Sequence, residues 1–315
     1  MKILLLVDGS SYSDVATKMV DALRLPSQTG VTVLTVVPEH TFLGGITLRK
    51  IRGASEKKEA QQQKALELLQ QSVQALSTSK LKVDNIVRWG DPADEILKVA
   101  NELAVSLVII GAKGLTDLLT FRLGSVTLAV MKHAKASVLL VRQTTRITDQ
   151  ASSPKKNTAI KRVLLATDGS RYSETVTQFL LNLPLPMNCE IIVITALQSH
   201  LAAWFKTPTL DFKTNQDLLV RLQAAEEAEA RKITAKSEKQ FITKGYKTAS
   251  VVLRGGAAES ILAAAKEYKP DIIVLGSRGL SKLEDLLLGS VAERVARYAD
   301  CSVLIGRHPG NGRIK

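Results

Sequence analysis

A chain of 315 residues is long enough for two domains that each bury a core of their own. With 45% hydrophobic residues, 4% aromatics and no apolar run near the roughly 20 residues of a membrane span, the composition is that of a soluble globular protein with no membrane partner. The net charge of +13 is shared by both halves (19 Lys and Arg against 14 Asp and Glu in residues 1–150, 24 against 16 in 151–315), and no basic patch is interleaved with aromatics, which argues against a nucleic-acid reader.

The opening segment, MKILLLVDGS, has only a short apolar run before Asp8, so no secretory signal is expected and a cytoplasmic location is. The elements then follow in alternation. A strand is predicted at Ile3–Val7, a helix at Asp14–Leu23 and a strand at Val31–Val37. A long helix at Glu56–Leu76 follows, its apolar face carried by Ala65, Leu68, Leu69, Val73 and Leu76. Beyond it come a strand at Val83–Val87, a helix at Ala93–Ala104, a strand at Leu107–Ile110, a helix at Val126–His133 and a strand at Val138–Val141. Runs such as ILLLV and SLVIIG are continuously apolar, as a parallel sheet covered on both faces requires.

The unit is written twice. KILLLVDGSSYSD at Lys2 matches RVLLATDGSRYSE at Arg162, an offset of 160. GDPADEIL at Gly90 matches GGAAESIL at Gly255, and SVLLVR at Ser137 matches SVLIGR at Ser302, both at 165. Five residues are therefore inserted in the second copy, around SHLAAWFKTPTL. Repeats of about 150 residues are domains rather than solenoid units. The expected fold is two tandem doubly wound α/β domains, Rossmann-like, each with a five-stranded parallel sheet. They span residues 1–142 and 161–307, and the polar segment 143–160 is a flexible linker.

Two equivalent glycine motifs carry the chemistry: GAKGLTDLLTFRLGS from Gly111 and GSRGLSKLEDLLLGS from Gly276, each directly after the fourth strand. Ligands of open α/β sheets lie outside the carboxyl ends of the strands. Gly111 and Gly276 end the strand where a side chain would block a ligand; Gly114 and Gly279 supply positive φ or close backbone approach. Gly124-Ser125 and Gly289-Ser290 open the next helix with free N–H groups and a hydroxyl, a phosphate site. Neither copy is a Walker A or a GxGxxG sequence. Lys113 and Arg278, inside the motif, read as exposed charge that is within range of a phosphate. Asp8 and Asp168 close the first strand of each copy; each either caps the next helix, with Ser10 and Ser170 as alternatives, or accepts ribose hydroxyls and approaches a Mg ion on the phosphates.

With Asp at the first strand end, Gly-x-x-Gly, nine residues, Gly-Ser, then SVAERV, and AKASVLLV or ADCSVLIG at the close, nearly the whole chain resembles the universal stress protein family in a tandem two-domain form. That family divides into members that bind ATP and members that do not, and the glycine motif marks the first group. The resemblance implies that Asp8 and Asp168 contact the nucleoside and that Val36 and Ala196 line the adenine site. It implies that Gly111, Gly114, Gly124, Ser125 and Val126 hold the sugar and phosphates, as do Gly276, Gly279, Gly289, Ser290 and Val291. It also implies that the last strands pair, here as an intramolecular domain pair, with a homodimer of chains left open. The copies differ at Ala196, smaller than Val36, and at Phe121-Arg122, where the second has leucines; both bear on whether the sites bind equally.

The two cysteines, Cys189 and Cys301, read as buried apolar residues, and the four histidines show no metal-ligand spacing. No catalytic or metal-binding constellation emerges. The favoured function is an ATP-binding, nucleotide-responsive stress regulator that acts on an unidentified protein partner and hydrolyses ATP slowly at most. The alternatives are a slow ATPase or phosphotransfer enzyme, and a chaperone-like stress protein without a ligand.

Overall fold

The computed structural model describes residues 1–39, 54–77, 81–115, 123–143, 160–197, 212–280 and 288–307. They form two units, one for each copy of the repeat. The expected linker and the insertion around residues 198–211 lie outside the described residues.

The first unit runs β1 (Lys2–Leu6), α1 (Ser11–Ala22), β2 (Gly30–Val37), α2 (Ala54–Leu76), β3 (Lys82–Trp89), α3 (Pro92–Glu102), β4 (Leu107–Gly111), α4 (Ser125–His133) and β5 (Ser137–Val141). Its strands are parallel in the order β3-β2-β1-β4-β5, with Ile3 opposite both Val31 and Leu107. The second unit repeats this as β6 (Arg162–Ala166), α5 (Arg171–Asn182), β7 (Glu190–Leu197), α6 (Phe212–Thr243), β8 (Lys247–Arg254), α7 (Ala257–Tyr268), β9 (Ile272–Gly276), α8 (Ser290–Tyr298) and β10 (Ser302–Gly306). Its order is β8-β7-β6-β9-β10. Both are the expected doubly wound α/β sheets.

The apolar runs become central strands because both faces are covered. In the first unit α1 and α2 pack together on one face, and α3 and α4 on the other. β1 and β4 are almost wholly buried, whereas β3, at the end of its sheet, is half exposed. In α2 the buried residues are Ala65, Leu69 and Leu76, along with Ser72, whose hydroxyl donates to the Leu68 carbonyl at 2.9 Å. Successive chain segments leave β1 in opposite directions across the sheet, so its carboxyl end and that of β4 flank the switch point where such folds open a crevice.

One ion-pair cluster belongs to the second unit alone. Arg162, Glu190 and Lys247 are direct neighbours across β6, β7 and β8. Glu190 accepts from Lys247 Nζ at 3.0 Å and from Arg162 Nη2 at 2.8 Å. The first unit has Lys2, Gly30 and Lys82 at these positions, with no acid between the cations. Hydrogen bonds from Lys247, then from Arg162, hold the Glu190 carboxyl below its ordinary value of 4.5 against a smaller opposing cost of burial. A folded-state pKa below the unfolded one stabilises the fold above the unfolded value, and the contribution disappears as the pH falls through the folded value. Glu190→Gln is therefore expected to lower unfolding stability at pH 7 by roughly 1 kcal/mol. In denaturant titrations, variant and wild type should converge as the pH drops below about 4.5; a pH-independent gap would contradict the pairing.

Candidate nucleotide-phosphate site

At the carboxyl ends of β1, β2 and β4 the first unit opens a cleft of about 240 Å³. It begins with Asp8. Oδ1 accepts from the Ser10 backbone N–H at 2.9 Å, which folds the chain back after β1, and Gly9 between them takes φ +80, a left-handed conformation that favours glycine. Ser10, and not Asp8, caps α1: its hydroxyl accepts from Ser13 N–H at 3.2 Å. The other carboxylate oxygen, Oδ2, accepts from Leu115 N–H at 3.2 Å, across 107 residues of sequence. Asp8 thus ties the β1–α1 turn to the glycine loop.

The loop closes on itself at its far end, where Gly124 N–H donates to the Ala112 carbonyl at 2.9 Å. Gly124 is the N-cap of α4 and no side chain caps that helix, which has no acidic residue in its first turn. Ser125, Val126 and Thr127 line the cleft, so the first-turn N–H groups and the positive end of the helix dipole lie at its wall. Thr127 anchors this turn by donating to the Gly111 carbonyl at 2.9 Å. Gly111 is required for a reason other than room for a ligand. A Cβ there would stand 2.8 Å from Tyr12 Cβ, so the glycine lets β4 approach α1.

The second unit repeats the hydrogen-bonded frame to within about two tenths of an ångström. Asp168 Oδ1 accepts from Ser170 N–H at 3.0 Å and Oδ2 from Leu280 N–H at 3.1 Å; Gly169 has φ +74, and Ser170 caps α5. Gly289 N–H donates to the Ser277 carbonyl at 2.7 Å and opens α8 without a side-chain cap, followed by Ser290 and Val291. Gly276 again meets the α5 backbone, at Tyr172 C, 3.1 Å from a would-be Cβ. Of the two roles expected for Gly279, close approach is the one observed. Its φ is not positive, and a Cβ would stand 2.6 Å from Asp168 Oδ2.

Asp8, Val36, Gly111, Gly114, Ser125 and Val126 all line the first cleft. Ala196 occupies the place of Val36 near the end of β7. The nine-residue stretches after Gly114 and Gly279, including Phe121 and Arg122, lie outside the described residues apart from their ends. Sequence reasoning passed over Gly9 and Gly169, which take positive φ in the turns after β1 and β6, although the Asp-Gly dipeptide that signals such a turn stands in both copies. It also passed over Thr127, whose tie to Gly111 has no counterpart at Ala292.

Because both oxygens of each aspartate accept an N–H, an asparagine can satisfy only one of the two donors. Asp168→Asn should accelerate amide hydrogen exchange at Ser170 or Leu280, and Asp8→Asn at Ser10 or Leu115, by about tenfold, the equivalent of one charge-assisted bond. Unchanged exchange at all four amides would show that the ties do not hold the loops.

Comparison with known proteins bears on the family and the fold. Universal stress protein MJ0531 of Methanocaldococcus jannaschii is 31% identical over 149 residues, 47% of this chain and 83% of its own. Universal stress protein Rv2005c of Mycobacterium tuberculosis is 26% identical over 228 residues, 72% of this chain and 70% of its own. The crystal structure of a universal stress protein from Archaeoglobus fulgidus shares the fold, with a TM-score of 0.63 at 20% identity over 98% of this chain and 96% of that one. The model of the universal stress protein family matches residues 1–142 and 159–307, once per domain, and the chain belongs to that family.

Proposed function

We propose that each domain binds one adenine nucleotide, ATP foremost, and that occupancy regulates how the protein engages a protein partner in a stress response. The observation that carries this reading is the duplicated frame of carboxylate, glycine loop and uncapped helix N-terminus around the ends of the first and fourth strands. The base is assigned to the apolar wall that contains Val36, with Ala196 as its equivalent, and the ribose hydroxyls to the remaining lone pairs of Asp8 and Asp168. The phosphates are assigned to the N–H groups of Ser125 and Val126, and of Ser290 and Val291. No group of three His, Cys, Asp or Glu suited to a metal occurs among the described residues; a Mg ion would come with the phosphates and keep much of its water.

Gly279→Val places its first side-chain carbon against the Asp168 carboxylate, so it should remove one of two ATP-binding events in a calorimetric titration, and Gly114→Val the other. Retention of both at full affinity in the double variant would reduce the loops to turns. Protein purified without added nucleotide and then denatured should release ATP, ADP or AMP.

Regulation, rather than turnover, fits carboxylates whose two oxygens already hold backbone N–H groups, a role of support rather than of proton transfer. Hydrolysis is expected to stay below about 1 s⁻¹, the low end for ordinary enzymes. A rate of roughly tens per second, abolished by Asp8→Ala with Asp168→Ala, would instead make the protein an ATPase.

A further inference from the structure

The residue before the second glycine of each motif is a cation, Lys113 in the first domain and Arg278 in the second, and the two are disposed differently. Lys113 lines the first cleft. Arg278 lies over Tyr172 of α5: its Nη1 donates to the phenol oxygen at 3.1 Å, and Cζ stands 5.5 Å from the ring centroid, within cation–π range. Its backbone is at the entrance to α8. The Gly289 N–H donates to the carbonyl of the preceding residue, Ser277, and a Cβ on Gly289 would lie 3.6 Å from Arg278 Cα. Pivoting on that Cα, the side chain is long enough to serve either the Tyr172 ring or the first turn of α8.

We propose that Arg278 is a movable phosphate arm of the second domain, docked on Tyr172 and transferred to the outer phosphates when a nucleoside triphosphate binds. The proposal rests on the nucleotide-binding reading above and adds to it a residue that discriminates by phosphate number. Guanidinium matches phosphate oxygens bidentately through charge-assisted hydrogen bonds, a stronger partnership than a neutral phenol and an aromatic face offer. A ligand shifts such an equilibrium only by its differential affinity for the two positions. A nucleoside monophosphate has no outer phosphates and leaves the arm on Tyr172. Tyr172 is then a competitor of the ligand, and its removal should strengthen triphosphate binding.

The full chain is titrated with ATP and with AMP by calorimetry, as wild type and as Tyr172→Leu, Tyr172→Phe, Arg278→Gln and Arg278→Lys. One of the two ATP-binding events should tighten about two- to fivefold in Tyr172→Leu, the equivalent of an exposed cation–π contact, and less in Tyr172→Phe, which keeps the ring. The same event should weaken at least about tenfold in Arg278→Gln and recover only in part in Arg278→Lys, which keeps the charge but not the bidentate fork. AMP binding should be the same in all five proteins. If the wild type binds two ATP while Tyr172→Leu and Arg278→Gln leave both events unchanged, the arm is refuted and the nucleotide reading stands. Equal losses of ATP and AMP binding would make Arg278 a structural residue and refute the arm as well. A wild type that binds no ATP overturns both readings.

Discussion

Each domain is organised around one carboxylate. Asp8 and Asp168 stand where the first strand gives way to its helix, and each accepts one N–H from the turn beside it and one from the glycine loop more than a hundred residues further on. Hydrogen bonds to an ionised acceptor are about twice as strong as neutral ones, and the long-range bond fastens the loops beyond two strands that the sheet already sets side by side. Through it, the turn that positions α1 or α5 is tied to the residue that follows the second glycine of the loop. The aspartate also dictates its neighbours: left-handed glycine at 9 and 169, and at 279 a glycine, because the carboxylate occupies the space a Cβ would need.

A loop tied in this way leaves the helix N-terminus available. Gly124 and Gly289 open α4 and α8 without a side-chain cap, whereas Ser10, Asp91 and Ser170 cap α1, α3 and α5; α7, which begins after Gly256, has no side-chain cap either. An uncapped start has N–H groups with no intrahelical partner, and it is stable where water or an anion supplies the acceptors. In the first domain the contrast between α1 and α3, which are capped, and α4, which is not, separates helices that serve the fold from the helix that faces the cleft.

The two copies keep this frame and differ in what surrounds it. Where Glu190 links Arg162 and Lys247, the first domain has Gly30 between two lysines. Where the first domain pairs the equivalents Val141 and Ala16, the second has Gly306 and Val176, and a Cβ at 306 would come within 2.1 Å of Val176 Cγ2. A bulky strand residue against a small helix residue has become the reverse, a trade of volume that close-packed cores tolerate. The cations of the glycine loops differ likewise: the arginine meets an aromatic ring that its planar guanidinium can stack on, and the lysine lines a cleft.

Much of the architecture was legible because it follows from pattern alone. Continuous apolar runs mark strands covered on both faces, and the predicted strands match the observed ones to within one or two residues; β3 runs on to Trp89 because its pairing continues to Val37. The duplicated offsets define two like units, and the spacing of the glycines places a loop and a helix start after the fourth strand. What the sequence could not supply is the reason for each residue, since that depends on neighbours distant in the chain. Gly111 reads as room for a ligand until Tyr12 is found against it, and Gly279 as a left-handed residue until the Asp168 carboxylate is. Arg278 reads as exposed charge until Tyr172 is brought beneath it from 106 residues away. Local periodicity and turn chemistry, which act over a few residues, are written in the sequence by itself. Close approaches and long-range hydrogen bonds arise only when the sheet brings its strand ends together, and the tertiary structure alone decides them.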